Sequence, residues 1–228
     1  MRSSAFLSIL SSIGPTLAQS AIIPTLFPAS LSNLVPRDWP SNRALCPLNK
    51  AILPTSTLPG PSTGLFLSFV AIGRGTQNYT CADATAASVP SSNGAVAALF
   101  DASCFAPYAD KLAQFTAWTT SVDPAHIPAI MSSGHHFFSD KTTPVFDLSK
   151  SLGRTSLSKT ASVIAPANER NDIPWLKLTT VAGAGTTSKV QEIYRVNTAK
   201  GSAPSTCDGQ RAEFMVQYAA EYWFYSKQ

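Results

Sequence analysis

Four carboxylates of this chain, Asp101, Asp147, Glu192 and Glu221, lie in or beside apolar segments. Two of them held ~5–10 Å apart in a cleft could hydrolyse a glycosidic bond, one as acid and the other as base or nucleophile. Glu221 is the first candidate because Tyr218, Tyr222 and Trp223 flank it. A carboxyl enclosed by rings is desolvated, its pKa rises, and aromatic platforms also suit sugar rings. Against this, aromatic strand residues are usually core, and alternation places Glu221 on the opposite face from Tyr222. Asp101 is the second candidate, although Asp101-Ala102-Ser103-Cys104 reads first as a turn before a disulfide. Ser103 has no Gly-x-Ser-x-Gly elbow around it, so a Ser-His-Asp hydrolase is not expected.

Binding chemistry rests on His135, His136, Arg74 and Arg195. Neighbouring residues of a strand point to opposite sides, so His135 and His136 do not share a metal; one points inward as a core imidazole, the other outward. With Asp140 or Asp147 only two ligands would assemble, and no metal site is assigned. Arg74, in Gly73-Arg74-Gly75, and Arg195, in Tyr194-Arg195-Val196-Asn197, could each grip a carboxylate bidentately if a concavity presented them. Otherwise each pairs with an acid such as Asp101 or Glu192. No cofactor is expected. Gly73-x-Gly75 runs on into strand-like residues, Gly183-x-Gly185 leads into a returning strand, and neither opens the helix that a dinucleotide turn requires.

The elements that must position these groups are short strands. A charged fraction of only 13%, with Pro, Ser, Thr and Ala abundant, suits an extracellular β-rich protein better than helices with charged faces. The 17 basic and 13 acidic residues are scattered, so no nucleic-acid footprint forms. Residues 1–18 read as a signal peptide: Arg2 supplies the charge, residues 5–17 are apolar, and Thr16-Leu17-Ala18 suits cleavage. That stretch is too short to cross a bilayer, and no later segment comes closer. Residues 19–45 form a Pro/Ser-rich leader and residues 46–228 one β-rich secreted domain.

Cys46, Cys81, Cys104 and Cys207 make two disulfides in that setting, with three connectivities open. The expected pairs are Cys81 with Cys104, a local loop, and Cys46 with Cys207, a long-range staple. Asn78-Tyr79-Thr80 is a glycosylation sequon. In strand geometry it sets Thr76, Asn78 and Thr80 toward solvent, with Gln77, Tyr79 and Cys81 inward.

Strands are expected over 65–72, continuing through a bulge or bend at Gly73 and Gly75 to 81, and over 134–138, 143–148, 175–181, 190–196 and 214–225. Residues 95–100 form another short apolar run. A helix is expected over 107–119 from Leu112, Phe115 and Trp118, and Asp123 before Pro124 caps one further turn. Residues 149–172 read as a long surface loop, and 182–188 as the turn of a hairpin. On the last strand Phe214, Val216, Tyr218, Ala220, Tyr222 and Phe224 share one face. The sum is a mostly β, single-domain sandwich or barrel with one or two short helices.

Five ordered blocks resemble a family: Gly73 to Cys81, Leu99 to Cys104, Trp175 to Leu178, Tyr194 to Thr198 and Ala219 to Tyr225. They are similar to secreted fungal proteins catalogued as a domain of unknown function, DUF3455, with distant bacterial relatives. Gly134-His135-His136-Phe137-Phe138 resembles the family's Gly-x-His-aromatic segment. The resemblance implies fold and secretion but no mechanism. Some members carry the label malate dehydrogenase, which the missing dinucleotide turn does not support.

Two readings of function follow. The first is a secreted, disulfide-stabilised glycoprotein that binds a cell-wall glycan or a host surface. The alternative is a secreted carbohydrate-active or hydrolytic enzyme using carboxylates. A pocket holding two close acids would favour the enzyme; a filled barrel or sandwich with shallow grooves would favour binding.

Overall fold

The computed structural model describes residues 46–127, 131–183 and 185–228. The expected signal peptide (1–18) and leader (19–45) lie outside the described residues. Eight strands follow one another as β1 (Phe66–Thr80), β2 (Ser91–Asp101), β3 (Ser132–Phe138), β4 (Pro144–Leu148), β5 (Gly153–Val163), β6 (Trp175–Thr180), β7 (Val190–Lys200) and β8 (Glu213–Ser226). Each pairs antiparallel with the next, and β8 pairs antiparallel with β1, so the sheet closes into an up-and-down barrel. Closure removes both sheet edges.

Alternation sends each strand's side chains into two different cores. Inward-facing residues of seven strands, among them Phe69, Leu99, Phe146, Leu157, Leu178, Ile193 and Phe224, fill the lumen. The eighth strand, β3, adds His136, stacked on Phe146 at 4.2 Å between ring centroids. Outward-facing Val70, Ile72, Phe100, Tyr194, Val196, Trp223 and Tyr225 form a second core against an outer layer. That layer contains helix α1 (Ala109–Thr119), whose Leu112 and Phe115 face the wall as the spacing requires. It also contains a strap before β1 that contributes Leu48, Ala51, Leu53 and Leu58. Beyond α1, Asp123 accepts a hydrogen bond from the Ala125 amide (2.8 Å) and starts the 3-10 turn Pro124–His126.

An ion pair locks the strap to the wall. Lys177 Nζ lies 3.0 Å from Glu192 Oε1 and donates to the Gly60 carbonyl (2.9 Å). The Ser62 hydroxyl and amide both donate to the Glu192 carboxylate, and the Tyr194 hydroxyl donates to the Pro59 carbonyl.

The disulfides differ from the expected pairing. They join Cys46 to Cys104 and Cys81 to Cys207. Local loop arithmetic loses to barrel closure: β8 lies beside β1, so the segment leading into β8 passes the end of β1, where the Cys81 amide donates to the Ala212 carbonyl. Cys46 belongs instead to the strap, which runs past the turn after β2.

Two further expectations are corrected. Residues 149–172 are not a loop throughout, because β5 occupies Gly153–Val163. Its Ser/Thr side chains concealed it: only Leu157 is a large apolar inward residue, and Thr155 is satisfied by the Thr180 hydroxyl (3.1 Å). Gly73 and Gly75 make no bulge, since the register with β2 runs unbroken through them and shifts only between Gln77 and Tyr79. The glycines are there for close approach. A Cβ on Gly73 would stand 2.4 Å from the Tyr222 ring, and one on Gly75 would stand 1.9 Å from the Val96 carbonyl oxygen.

Candidate functional site

The cross-strand register sorts the lumen into an apolar end and a polar end. Phe69 lies opposite Phe224, and Phe224 opposite Ile193. The next inward row sets Ala71 opposite Tyr222 and Tyr222 opposite Arg195. Further along β1, Gly75 lies opposite Tyr218, and Ala97 of β2 opposite His136. Gln77 and Tyr79 complete the inward face of β1. Arg195, His136, Tyr218, Tyr222, Gln77 and Tyr79 thus share one end of the barrel.

Arg195 is the centre of this end. It is 9% exposed, and its Nε and Nη2 both donate to the Pro174 carbonyl at 3.1 and 2.8 Å. It also bonds the Tyr222 hydroxyl, and its charge reaches His136, Tyr79 and Tyr218. The hydroxyls of Tyr218 and Tyr222 lie 2.9 Å apart. Burial raises the pKa of both phenols, and Arg195 opposes that rise only in part, so both stay protonated and able to donate. Burial lowers the His136 pKa to about 4. Its Nδ1 meets the Val145 carbonyl at 2.9 Å, which makes Nδ1 the protonated nitrogen of a neutral ring. Gln77 is 7% exposed, and its Nε2 has no hydrogen-bond partner among the described residues.

The structure therefore joins two of the sequence candidates, Arg195 and His136, and separates the others. His135 faces outward and is exposed, opposite Asp147. Arg74 faces the outer layer, where its Nε donates to the Thr119 carbonyl (2.8 Å) at the end of α1, and burial lowers its pKa. The expected arginine pairings with Glu192 do not occur, because that carboxylate is taken by Lys177 and Ser62. Asp101 caps the turn after β2 by accepting from the Ser103 amide (2.9 Å).

Glu221 is fully buried, on the outward face of β8 opposite Ile72 and Val196. Asn197 Nδ2 donates to its Oε1 (2.8 Å) and Trp223 Nε1 to its Oε2 (2.9 Å). Burial outweighs both bonds and raises its pKa to about 8. Asn197 reaches it from a backbone with φ of 43°, at the register shift between Val196 and Ala199.

Asn78 is half-buried on the outward face of β1, opposite Met215, which is 70% exposed. Of its expected neighbours, Gln77 and Cys81 are buried as the alternation requires. A groove of about 340 Å³ opens at the polar end, bounded by residues of the β5–β6 connection with Asp172, Pro174 and Ser202. Among the described residues no group of three or more His, Cys, Asp or Glu stands together as a metal site. Gly73-Arg74-Gly75 lies within β1 rather than in a strand-to-helix turn.

The sequence reading missed Tyr218, Tyr222 and Gln77 as polar members of the site and took them for core. One signal was present: Tyr218 and Tyr222 are separated by Ala219, Ala220 and Glu221, so two hydroxyls share a strand face with only a methyl between them. The ion pair of Lys177 with Glu192 had no such signal, since its partners lie on different strands.

Comparison with curated proteins and with solved structures finds no match. No helix of the described residues is long and apolar enough to cross a membrane. The family model described as "Protein of unknown function (DUF3455)" matches residues 61–226, from the strap to the last strand, and the chain belongs to that family.

Proposed function

We propose that this protein is a secreted, N-glycosylated barrel that acts by binding, with a cell-wall glycan or a host surface as its partner. The observation that carries this reading is the placement of Glu221. A catalytic carboxyl must touch the bond it cleaves, and Glu221 is fully buried with one donor on each oxygen. Its raised pKa is that of a group sealed in a wall, not of an acid presented to substrate. One oxygen of the Asp101 carboxylate accepts from the Ser103 amide in the turn after β2. The lumen is packed with side chains at its apolar end, so recognition of a polymer falls to the outer surface.

Secretion is supported by the leader composition and by two disulfides, whose partners are 58 and 126 residues apart. Glycosylation is supported by the outward position of Asn78 beside exposed Met215 and near Val96, an apolar strip that a glycan would cover. The test is a glycan array together with a hydrolase panel on protein secreted from a eukaryotic host. Saturable binding without turnover is expected. Turnover abolished by Glu221→Gln would overturn the reading in favour of the carboxylate enzyme.

A further inference from the structure

We infer that the polar end of the barrel lumen is a binding site for a small monocarboxylate, gripped by Arg195 with the Tyr222 and Tyr218 hydroxyls and the Gln77 amide around it. Arg195 is a buried cation with no carboxylate partner among the described residues. A guanidinium held in a wall without a counter-charge is costly, and an anion supplies the missing partner. Its present acceptor, the Pro174 carbonyl, takes two of its N–H groups on a single neutral oxygen. A carboxylate would accept the same pair on two charged oxygens, the bidentate arrangement that suits a guanidinium best.

A second, independent observation points the same way. The Gln77 Nε2 is an orphan donor on a side chain 93% buried by its 7% exposure, facing inward from β1. Buried donors are almost always satisfied, so an unsatisfied one marks a missing acceptor. The Gln77 amide thus calls for an acceptor at this end. The only lone-pair nitrogen is that of His136, which stays neutral and brings no competing negative charge.

The groove of about 340 Å³ lies beside this end, and its wall includes Pro174, whose carbonyl accepts from Arg195. Eight-stranded barrels are just wide enough to hold one small ligand. Glu169 and Asp172 outnumber Arg170 on the rim of that groove, which sets a single carboxylate ahead of phosphate or a dicarboxylate. This site does not depend on the surface reading above: a protein that binds glycans on its outside can hold or lack it.

The test compares acetate with acetamide, its neutral isostere, on the full secreted chain by thermal melting and titration calorimetry. Acetate at tenfold its Kd is expected to raise Tm saturably by roughly 3–6 °C, and acetamide to leave it unchanged. Arg195→Gln should abolish the acetate response. Should that variant fail to fold, Tyr222→Phe keeps the ring over Gly73 and loses only the hydroxyl, and it should weaken acetate several-fold. Equal responses to acetate and acetamide, or an acetate response untouched in Arg195→Gln or Tyr222→Phe, would overturn the inference.

Discussion

Replacing Glu221 by Gln should open a stability difference in favour of the variant that grows across neutral pH. Burial holds the Glu221 pKa at about 8 in the folded protein, against 4.5 for an ordinary glutamate. Below pH 4.5 the folded and unfolded chains both carry the proton, so the group is neutral to stability. Between 4.5 and about 8 the unfolded chain releases its proton while the folded chain keeps it, and stability falls as pH rises. At about 1.4 kcal/mol per pH unit, this span removes roughly 4–5 kcal/mol from the wild type by pH 8. A glutamine has no proton to lose. Its oxygen accepts from Trp223 Nε1, and Asn197 turns its carboxamide to accept from the new NH2 group.

His136 acts on the wild-type and variant curves alike, and in the opposite sense. Its pKa is lowered by burial from 6.5 to about 4, so the folded state loses stability as pH falls from 6.5 toward 4. The two slopes therefore offset one another between pH 4.5 and 6.5, and only above 6.5 does the wild type decline. The difference between variant and wild type cancels His136 and isolates Glu221. Urea denaturation at half-unit steps from pH 4.5 to 8.5 measures it. The variant should lie within about 1 kcal/mol of wild type at pH 4.5 and exceed it by roughly 3–5 kcal/mol at pH 8.5. Parallel profiles across the range would refute the burial argument, because they would mean that Glu221 titrates alike in both states.

Two other perturbations test the barrel itself. Gly75→Ala places a methyl 1.9 Å from the Val96 carbonyl, where backbone must yield, and should lower Tm by roughly 5–15 °C; Gly60→Ala, with nothing within 4 Å, should leave Tm unchanged. Non-reducing peptide mapping should recover Cys81 linked to Cys207 and Cys46 linked to Cys104, and replacing both Cys81 and Cys207 by Ser should cost roughly 4–5 kcal/mol in urea melts, the value for a loop closed over 126 residues.

Much of the architecture was legible one segment at a time. Period-two alternation on β8, the Leu112, Phe115 and Trp118 spacing of α1, the opposed faces of His135 and His136, and the outward Asn78 each need only a window of a dozen residues. A strand whose large residues are Ser and Thr, such as β5, gives that window no apolar signal.

What the sequence determined by itself is therefore the set of elements and which residues share a face. The tertiary structure alone decided what each face meets. Phe66 pairs with Ser226 across almost the whole domain, and no local pattern encodes that closure. Closure sets the disulfide partners and brings Arg195, His136, Tyr218 and Tyr222 together from three strands. The outward face of β8 illustrates the same limit: alternation placed Glu221 there correctly, but only the packing of α1 and the strap turned that face from surface into a second core. Side-chain direction is a property of adjacent residues, whereas burial depends on contacts among distant ones.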